Sequence, residues 1–319
     1  MTALLRFDAV TKSYGRPSLV PWQQSGVTPV LHGISLSVAR GEIVGIVGES
    51  GSGKSTLGRM ALRLVSPTSG RVFFDGHDIT AMSERQFRPF RSRVQMIFQD
   101  PHNSLDPAIS IGASVAEAIE STQPGLSQAE RNERVTVLLQ QVGLNPLAAG
   151  RRPHAFSGGQ KQRIGIARAL ATNPDLIVAD EAVSALDVSV QAHILNLMRD
   201  LREQLGLAYL FIAHDLAVVR RVSHRVAVLY RGRIVESGCR DALFDTPLHP
   251  YTRMLLRSVP RARPMSELAL PAAPMDPVQS FAGCPFYARC AERLDICRHV
   301  DPPARTMAPG REVACHAAW

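Results

Sequence analysis

A chain of 319 residues, 45% hydrophobic and 20% charged, has the makeup of an ordinary folded protein with room for one large α/β core and a smaller unit. No apolar run approaches the length of about 18 residues that a membrane-crossing helix needs, and Met1–Val10 lacks a signal-peptide layout, so the expectation is a chain that neither spans a membrane nor is exported. The net charge of +8 rests almost wholly on scattered arginines, with Lys12, Lys54 and Lys161 the three lysines, and without a basic stripe nucleic acid is not the expected partner.

In chain order, Leu5–Ala9 and Val30–Val38 read as edge strands joined by an irregular loop, Gly15–Pro29. Tyr14, just before that loop, either stacks on a purine or packs. Ile43–Val47 is an apolar, β-branched run bounded by turn residues, the mark of a short buried strand. It breaks into Gly48-Glu49-Ser50-Gly51-Ser52-Gly53-Lys54-Ser55-Thr56, which fits G-x-x-x-x-G-K-[ST] and precedes a predicted helix, Leu57–Leu64. That spacing suits phosphate. The glycines let successive N–H groups point at one anion, and the helix behind adds the positive end of its dipole. Lys54 reaches the β- and γ-phosphates as a point charge, and the Ser55 hydroxyl suits Mg²⁺. An accidental match has a chance of roughly one per cent in a chain this long.

Further on, Gly70–Phe74 and Val94–Phe98 read as strands, with a turn at Asp75-Gly76 and a break at Asp100-Pro101 after Gln99. Residues 115–142 show helical spacing interrupted by Pro124-Gly125. A loop, Pro153–Gln160, opens into an amphipathic helix, Lys161–Ala171, which Asn173-Pro174 stops. Leu176–Ala179 is another apolar strand, ending in Asp180-Glu181. A long helix, Val190–Leu205, leads to strand Ala208–Ile212 and then His214. Arg225–Tyr230 and Arg233–Glu236 form a hairpin around Arg231-Gly232. Proline and alanine then dominate Pro260–Val278, a linker composition, before a cysteine-bearing tail.

Four strands thus end in residues suited to phosphate chemistry, and open parallel sheets bind ligands at their carboxyl ends. The phosphate loop, Gln99, Asp180-Glu181 and His214 are expected to converge on one crevice. Asp180 would complement Ser55 at Mg²⁺, and Glu181 would polarise an attacking water. Ser157-Gly158-Gly159-Gln160 is a second small-residue turn at a helix start, hence a second anion site. One chain with one phosphate loop has no use for two, so this turn is expected to face the triphosphate of a second chain.

GESGSGKST, FQDP, FSGGQKQR, LIVADE, SALD and AHD, in that order, resemble the nucleotide-binding subunit of an ABC transporter over about residues 1–255. The resemblance implies a P-loop NTPase core of the RecA-like α/β class with a helical subdomain at about 100–170, and residues 256–319 as linker and tail. It implies an ATPase that uses ATP and Mg²⁺. Gly48–Thr56 matches Walker A, Gln99 the Q-loop glutamine and a Mg²⁺ ligand, Asp180 the Walker B aspartate and Glu181 the catalytic glutamate. Ser157–Gln160 matches the signature turn, Ser184–Asp187 the D-loop, His214 the switch histidine and Tyr14 the adenine-stacking aromatic. FQDPHNSLDP, HPYTRMLLRSVP (249–260) and CPFYARC (284–290) are similar to the oligopeptide/dipeptide/nickel importer group. Ala155, Ala108 and Ala213 depart from residues common there without removing a catalytic group. The implied machine sits at the cytoplasmic face of the inner membrane, with a second cassette (a copy or a paralogue), two permease subunits and an extracytoplasmic solute-binding protein. Peptides are the implied cargo, with nickel or another small solute as the alternative. A soluble ABC ATPase of DNA repair or translation is the rival, and such proteins usually carry two cassettes or long insertions.

Cys284, Cys290, Cys297 and Cys315 lack the tight C-x₂₋₄-C pairs of structural zinc, and disulfides do not suit a cytosolic ATPase. An iron–sulfur cluster, zinc and unligated thiols stay open on spacing; the resemblance implies a [4Fe–4S] cluster. Beyond the linker, the four cysteines are expected not to lie in line with the γ-phosphate. At some forty residues the tail is also in the size range where metals supply stability. Cys239, at a hairpin end, carries no expectation.

Overall fold

The computed structural model describes residues 3–15, 27–100, 104–257 and 283–318. The chain opens with strands β1 (Ala3–Tyr14), β2 (Thr28–Ala39) and β3 (Ile43–Val47), helix α1 (Lys54–Ala61), then β4 (Ser69–Phe74) and β5 (His77–Asp78). Helix α2 (Glu84–Arg91) and β6 (Val94–Ile97) precede three helices, α3 (Ile111–Thr122), α4 (Gln128–Gln141) and α5 (Gly158–Leu170). Next come β7 (Leu176–Asp180), α6 (Val188–Leu205), β8 (Ala208–Ala213), α7 (Leu216–Val222), β9 (Arg225–Tyr230) and β10 (Arg233–Cys239). Helices α8 (Arg240–Asp245) and α9 (Pro250–Arg257) and a last hairpin, β11 (Arg305–Ala308) and β12 (Arg311–Val313), complete it. The expected linker Pro260–Val278, most of the loop after Gly15 and residues 101–103 lie outside the described residues.

A parallel array in the spatial order β9-β3-β8-β7-β6 forms the centre of the larger sheet. Its inner strands are covered on both faces, so they read as unbroken apolar runs. The faces still alternate. Ile43, Val47, Ile177, Ala179, Tyr209 and Phe211 join the core shared with α3, α4 and α5. Val44, Ile46, Leu176, Val178, Leu210 and Ile212 join a second core, which also holds Leu57 and Met60 of α1 and the apolar side chains of β1, β2 and β4. That second core is closed by an antiparallel sheet, β2-β1-β4-β5. Here β2 is an edge strand as expected, but β1 is not: it pairs with β2 on one side and β4 on the other.

Pro124-Gly125 separates α3 from α4, and α4 restarts on a capping box in which Ser127 and Glu130 satisfy each other's backbone N–H groups. Helix α5 starts at Gly158 rather than Lys161, because Ser157 caps it in the same way, its hydroxyl accepting the Gln160 N–H.

The tail corrects an expectation about how it is held. It does not stand beyond the cassette on its own. Strand β12 pairs antiparallel with β10, Glu236 opposite Val313, and extends the large sheet. Beneath that seam Glu236, buried at 1% exposure, accepts the N–H groups of Leu248 and His249 and the Arg311 guanidinium. Strand pairing and this buried carboxylate tie the tail to the cassette, so it need not rely on a metal for its fold.

Candidate active site

The phosphate loop hangs between β3, which lies between the two cores, and α1, which packs into the second. Two of its glycines are geometric necessities. A Cβ on Gly48 would stand 2.1 Å from the Leu229 carbonyl oxygen, and Gly53 enters α1 with φ of 101°, in the left-handed region. Lys54 is 4% exposed, and its Nζ donates to the carbonyls of Gly48 (2.8 Å) and Glu49 (2.9 Å). The lysine is thereby folded back over its own loop, on contacts that phosphate oxygens can take over. Burial lowers its pKa, against the attraction of Glu181, Asp180 and Glu49.

Ser55, on the first turn of α1, donates its hydroxyl to Asp180 Oδ1 at 2.9 Å. Burial raises the Asp180 pKa, outweighing the lowering by the Ser55 bond and by Arg59 and Lys54, while the neighbouring Glu181 adds to the rise. A buried carboxylate of this kind beside a hydroxyl is a hard oxygen donor set, and it fits Mg²⁺.

Glu181 follows β7 with φ of +49°, a left-handed conformation that costs about 1–3 kcal/mol in a non-glycine residue. Its N–H is held by the Ile212 carbonyl at 2.9 Å, and the turn aims its carboxylate at the neighbouring strand ends. There Gln99 Nε2 donates to Glu181 Oε2 at 3.0 Å, and His214 Nδ1 lies 3.4 Å from the same oxygen. Gln99 after β6, Glu181 after β7 and His214 after β8 therefore meet at one oxygen. With Ser55–Asp180 beside them, the expected convergence of four strand ends is met.

Of the loop's remaining residues, Ser50 and Gly51 are exposed, and Gly51 has φ of 77°. Ser52 is 4% exposed, and its carbonyl accepts the Gly232 N–H, while Thr56 lies half-buried on α1. The second predicted group stands at two helix starts. Ser157 and Gln160 close the cap of α5, and Asp187 caps α6, its Oδ1 accepting the Val190 N–H at 2.9 Å. Gly158 and Gly159 pack against Leu186 and Val190, where a Cβ on Gly159 would meet Val190 Cγ1 at 2.3 Å. The turn at 157–160 thus packs against residues 186–190. Tyr14 ends β1 with its ring 42% exposed and the Lys12 ammonium 4.9 Å from the ring centroid.

The four cysteines of the tail are expected to form a ligand set. Among the described residues no group of three or more potential ligands is arranged to hold a metal ion. Cys284, Cys297 and Cys315 are buried and Cys290 is half-buried. Burial pushes the Cys284 thiol up to about 11, with smaller pushes from Cys297, Cys315 and Cys290, and burial likewise raises Cys290 and Cys315. Cys284, Cys290 and Cys315 thus lie within reach of one another's charge. Cys239 is exposed.

Nothing in the sequence indicates how the tail meets the loop. Arg289 donates through Nη1 and Nη2 to the two carboxylate oxygens of Glu49, both at 2.9 Å, across 240 positions of chain. The Glu49 N–H donates to the hydroxyl of Tyr251 at 3.0 Å. The tail therefore touches the phosphate loop at Glu49. No spacing rule reveals such a contact; Arg289 lies within CPFYARC and Tyr251 within HPYT, both noted only for their resemblance.

Residues 31–184 match the family model described as ABC transporter, and residues 235–297 match the C-terminal region of the oligopeptide/dipeptide transporter family. A probable peptide ABC transporter ATP-binding protein of Sinorhizobium fredii is 49% identical over 98% of this chain and 90% of its own. The oligopeptide transport ATP-binding protein AppF of Bacillus subtilis is 48% identical over 91% of this chain and 90% of its own. Among solved structures, the ATP-binding cassette MJ0796, dimeric in a post-hydrolysis state with ADP and Pi, aligns with a TM-score of 0.66. It is 30% identical and covers 74% of this chain and 98% of its own.

Proposed function

The chain belongs to the ABC transporter ATP-binding family, and from that membership we propose that it is the ATP-hydrolysing subunit of a peptide importer. The observation that carries the catalytic part is the meeting of Gln99 and His214 on one carboxylate oxygen of Glu181. The peptide cargo is supported by the match of the C-terminal region and by the names of the relatives. In this reading the N–H groups of residues 48–56 and the Lys54 ammonium bind the triphosphate, and Tyr14 offers its open ring to the base. Ser55 and Asp180, with Gln99, would hold Mg²⁺, which neutralises phosphate charge when bound. Glu181 accepts the proton of the attacking water as the γ-phosphate bond breaks, and Gln99 and His214 hold that carboxylate at the strand ends.

Ser157–Gln160 and Asp187 serve the nucleotide of a second cassette, so two chains close around two nucleotides. Residues 1–255 form the cassette, and 256–319 the C-terminal extension. Among the described residues no helix is long and apolar enough to cross a membrane. The chain acts as a peripheral subunit on the cytoplasmic face of two permeases, fed by a solute-binding protein. The test is uptake in membrane vesicles carrying the assembled transporter. ATP inside the vesicle-accessible face should drive accumulation of labelled di- or oligopeptides, and ATP-driven nickel uptake without peptide uptake would overturn the cargo.

A [4Fe–4S] cluster on Cys284, Cys290, Cys297 and Cys315 is a separate proposal. It is supported by the common electrostatic neighbourhood of these thiols, and no step of hydrolysis passes through it. Iron and labile sulfide in anaerobically purified protein would support it; stoichiometric zinc, or neither metal, would overturn it.

A further inference from the structure

We propose that Arg289, in the C-terminal tail, is a positioning residue for the nucleotide site: by holding the Glu49 carboxylate it fixes the first turn of the phosphate loop for ATP. The inference rests on the reading of residues 48–56 as the ATP site. Arg289 meets Glu49 fork to fork, with two bonds of 2.9 Å, the geometry in which a guanidinium fixes orientation as well as charge. The guanidinium sits in a built pocket. Tyr230 and Phe286 lie with ring centroids 5.9 Å from it, and Met254 Sδ is 3.6 Å from Nη2.

Glu49 is gripped a second time, through its backbone. Its N–H is bound by the hydroxyl of Tyr251, a residue with 0% exposure. Tyr251 is placed in turn by its own N–H on His249 Nδ1 (3.0 Å), and the His249 N–H is bound by Glu236 at 2.9 Å. Glu236 also receives Arg311. Main chain and side chain of residue 49 are thus both held by the segment that follows the last cassette strand. What they hold matters because the Glu49 carbonyl accepts Lys54 Nζ, so a displaced residue 49 moves an anchor of the phosphate-binding lysine.

A loop carrying glycines at 48, 51 and 53 has many backbone states to lose when its N–H groups converge on an anion. A fixed point at residue 49 removes part of that ordering cost before the nucleotide arrives. The contribution is not one of global stability, since the pair is partly exposed (24% for Arg289 and 41% for Glu49) and such pairs add little to it. It concerns the shape of the loop.

The test measures Mg-ATP and ADP affinity and steady-state hydrolysis on the purified full-length chain. Arg289→Ala should raise Kd for both nucleotides about 3- to 10-fold, the range for the net worth of one ordinary hydrogen bond in a partly exposed contact. KM should rise with kcat nearly unchanged, because the grip acts equally on ground and transition states. Arg289→Lys separates positioning from charge: it keeps the cation but not the fork, and it should bind nearly as poorly as the alanine variant. Glu49→Gln perturbs the same contact from the loop side and covers the case in which a tail variant folds badly. Removing a negative charge near a triphosphate would by itself tighten binding, whereas loss of the grip weakens it. The double variant Glu49→Gln/Arg289→Ala should be no weaker than the worse single one. Unchanged Kd in Arg289→Ala, wild-type affinity in Arg289→Lys, tighter binding in Glu49→Gln, or strict additivity would each overturn the proposal. A parent chain that binds no ATP would instead overturn the reading of the site itself.

Discussion

Glu181→Gln is the sharpest test of the catalytic arrangement. The exchange is nearly isosteric, and an amide oxygen at position 181 can still accept from Gln99 Nε2, so the constellation at the strand ends should persist. Glutamine tolerates the left-handed backbone at 181 no worse than glutamate. The loop contacts of Lys54 and the Ser55–Asp180 bond do not involve the Glu181 side chain, so ATP binding should survive. It should even tighten slightly, because a negative charge facing the triphosphate is gone. The loss is the proton acceptor alone. General-base catalysis contributes ~10²- to 10⁴-fold, which corresponds to about 3–5 kcal/mol of barrier. Single-turnover hydrolysis of radiolabelled ATP, run beside equilibrium binding and size-exclusion chromatography, reads all three outcomes. The expected result is near-parental affinity, hydrolysis slowed at least about a hundredfold, and an ATP-dependent dimer that persists. Turnover within a few-fold of the parent would refute the assignment of Glu181 as the base.

Asp180→Asn should raise the melting temperature of the nucleotide-free chain at pH 7 while abolishing Mg²⁺-dependent stabilisation by ATP. The sign follows from its raised pKa: the stability this group contributes is present below its unfolded pKa and lost as pH rises through the folded one, and a permanently neutral asparagine removes that loss. A melting curve unchanged across pH 4–7 in the variant comparison would count against it. Arg311→Ala leaves Glu236 with two backbone N–H partners but no cation, at a cost of about 3 kcal/mol, or a fall of ~5 °C in Tm, with limited proteolysis opening residues 283–318 first. Ser157→Arg should leave ATP binding at its own loop intact yet block closure. Mixing it with Lys54→Ala chains in a homodimer should restore hydrolysis in part, since one of the two shared sites is then whole, and no recovery at any ratio would contradict shared sites.

What could be read from the sequence follows from how local each signal is. The strand-end residues were legible because a parallel sheet exports its carboxyl ends to one edge, so naming the strands around Ile43, Val94, Leu176 and Ala208 sufficed to bring Gln99, Glu181 and His214 together. Helix α2 escaped notice because it buries only Phe87 and carries Pro89 and four charged residues, leaving no apolar stripe to follow. Strand β1 was read five residues long and placed at an edge, although it runs over twelve residues. Its second half, from Thr11 to Tyr14, is polar or exposed and is held by pairing with β2 and β4, which no single-strand pattern reveals. The left-handed turn at Glu181 is likewise invisible in composition, since it is imposed by the backbone bond to Ile212.

The tail shows the same limit from the other side. Counting its residues put the tail in the size range that metals stabilise, because forty residues bury too little apolar surface to fold alone. That arithmetic holds only for an isolated segment. Val313 and Cys315 are buried against the cassette, Phe286 packs on Tyr230 and Tyr251, and β12 takes the open edge of β10. The edge strand that a sheet must otherwise protect is the one the tail covers. Its stability is therefore borrowed from the cassette, and the coupling runs both ways: whatever shifts the tail shifts Arg289 and, through Glu49, the turn that carries the lysine anchor. A segment distant from residues 48–56 in one dimension lies, in three, against them.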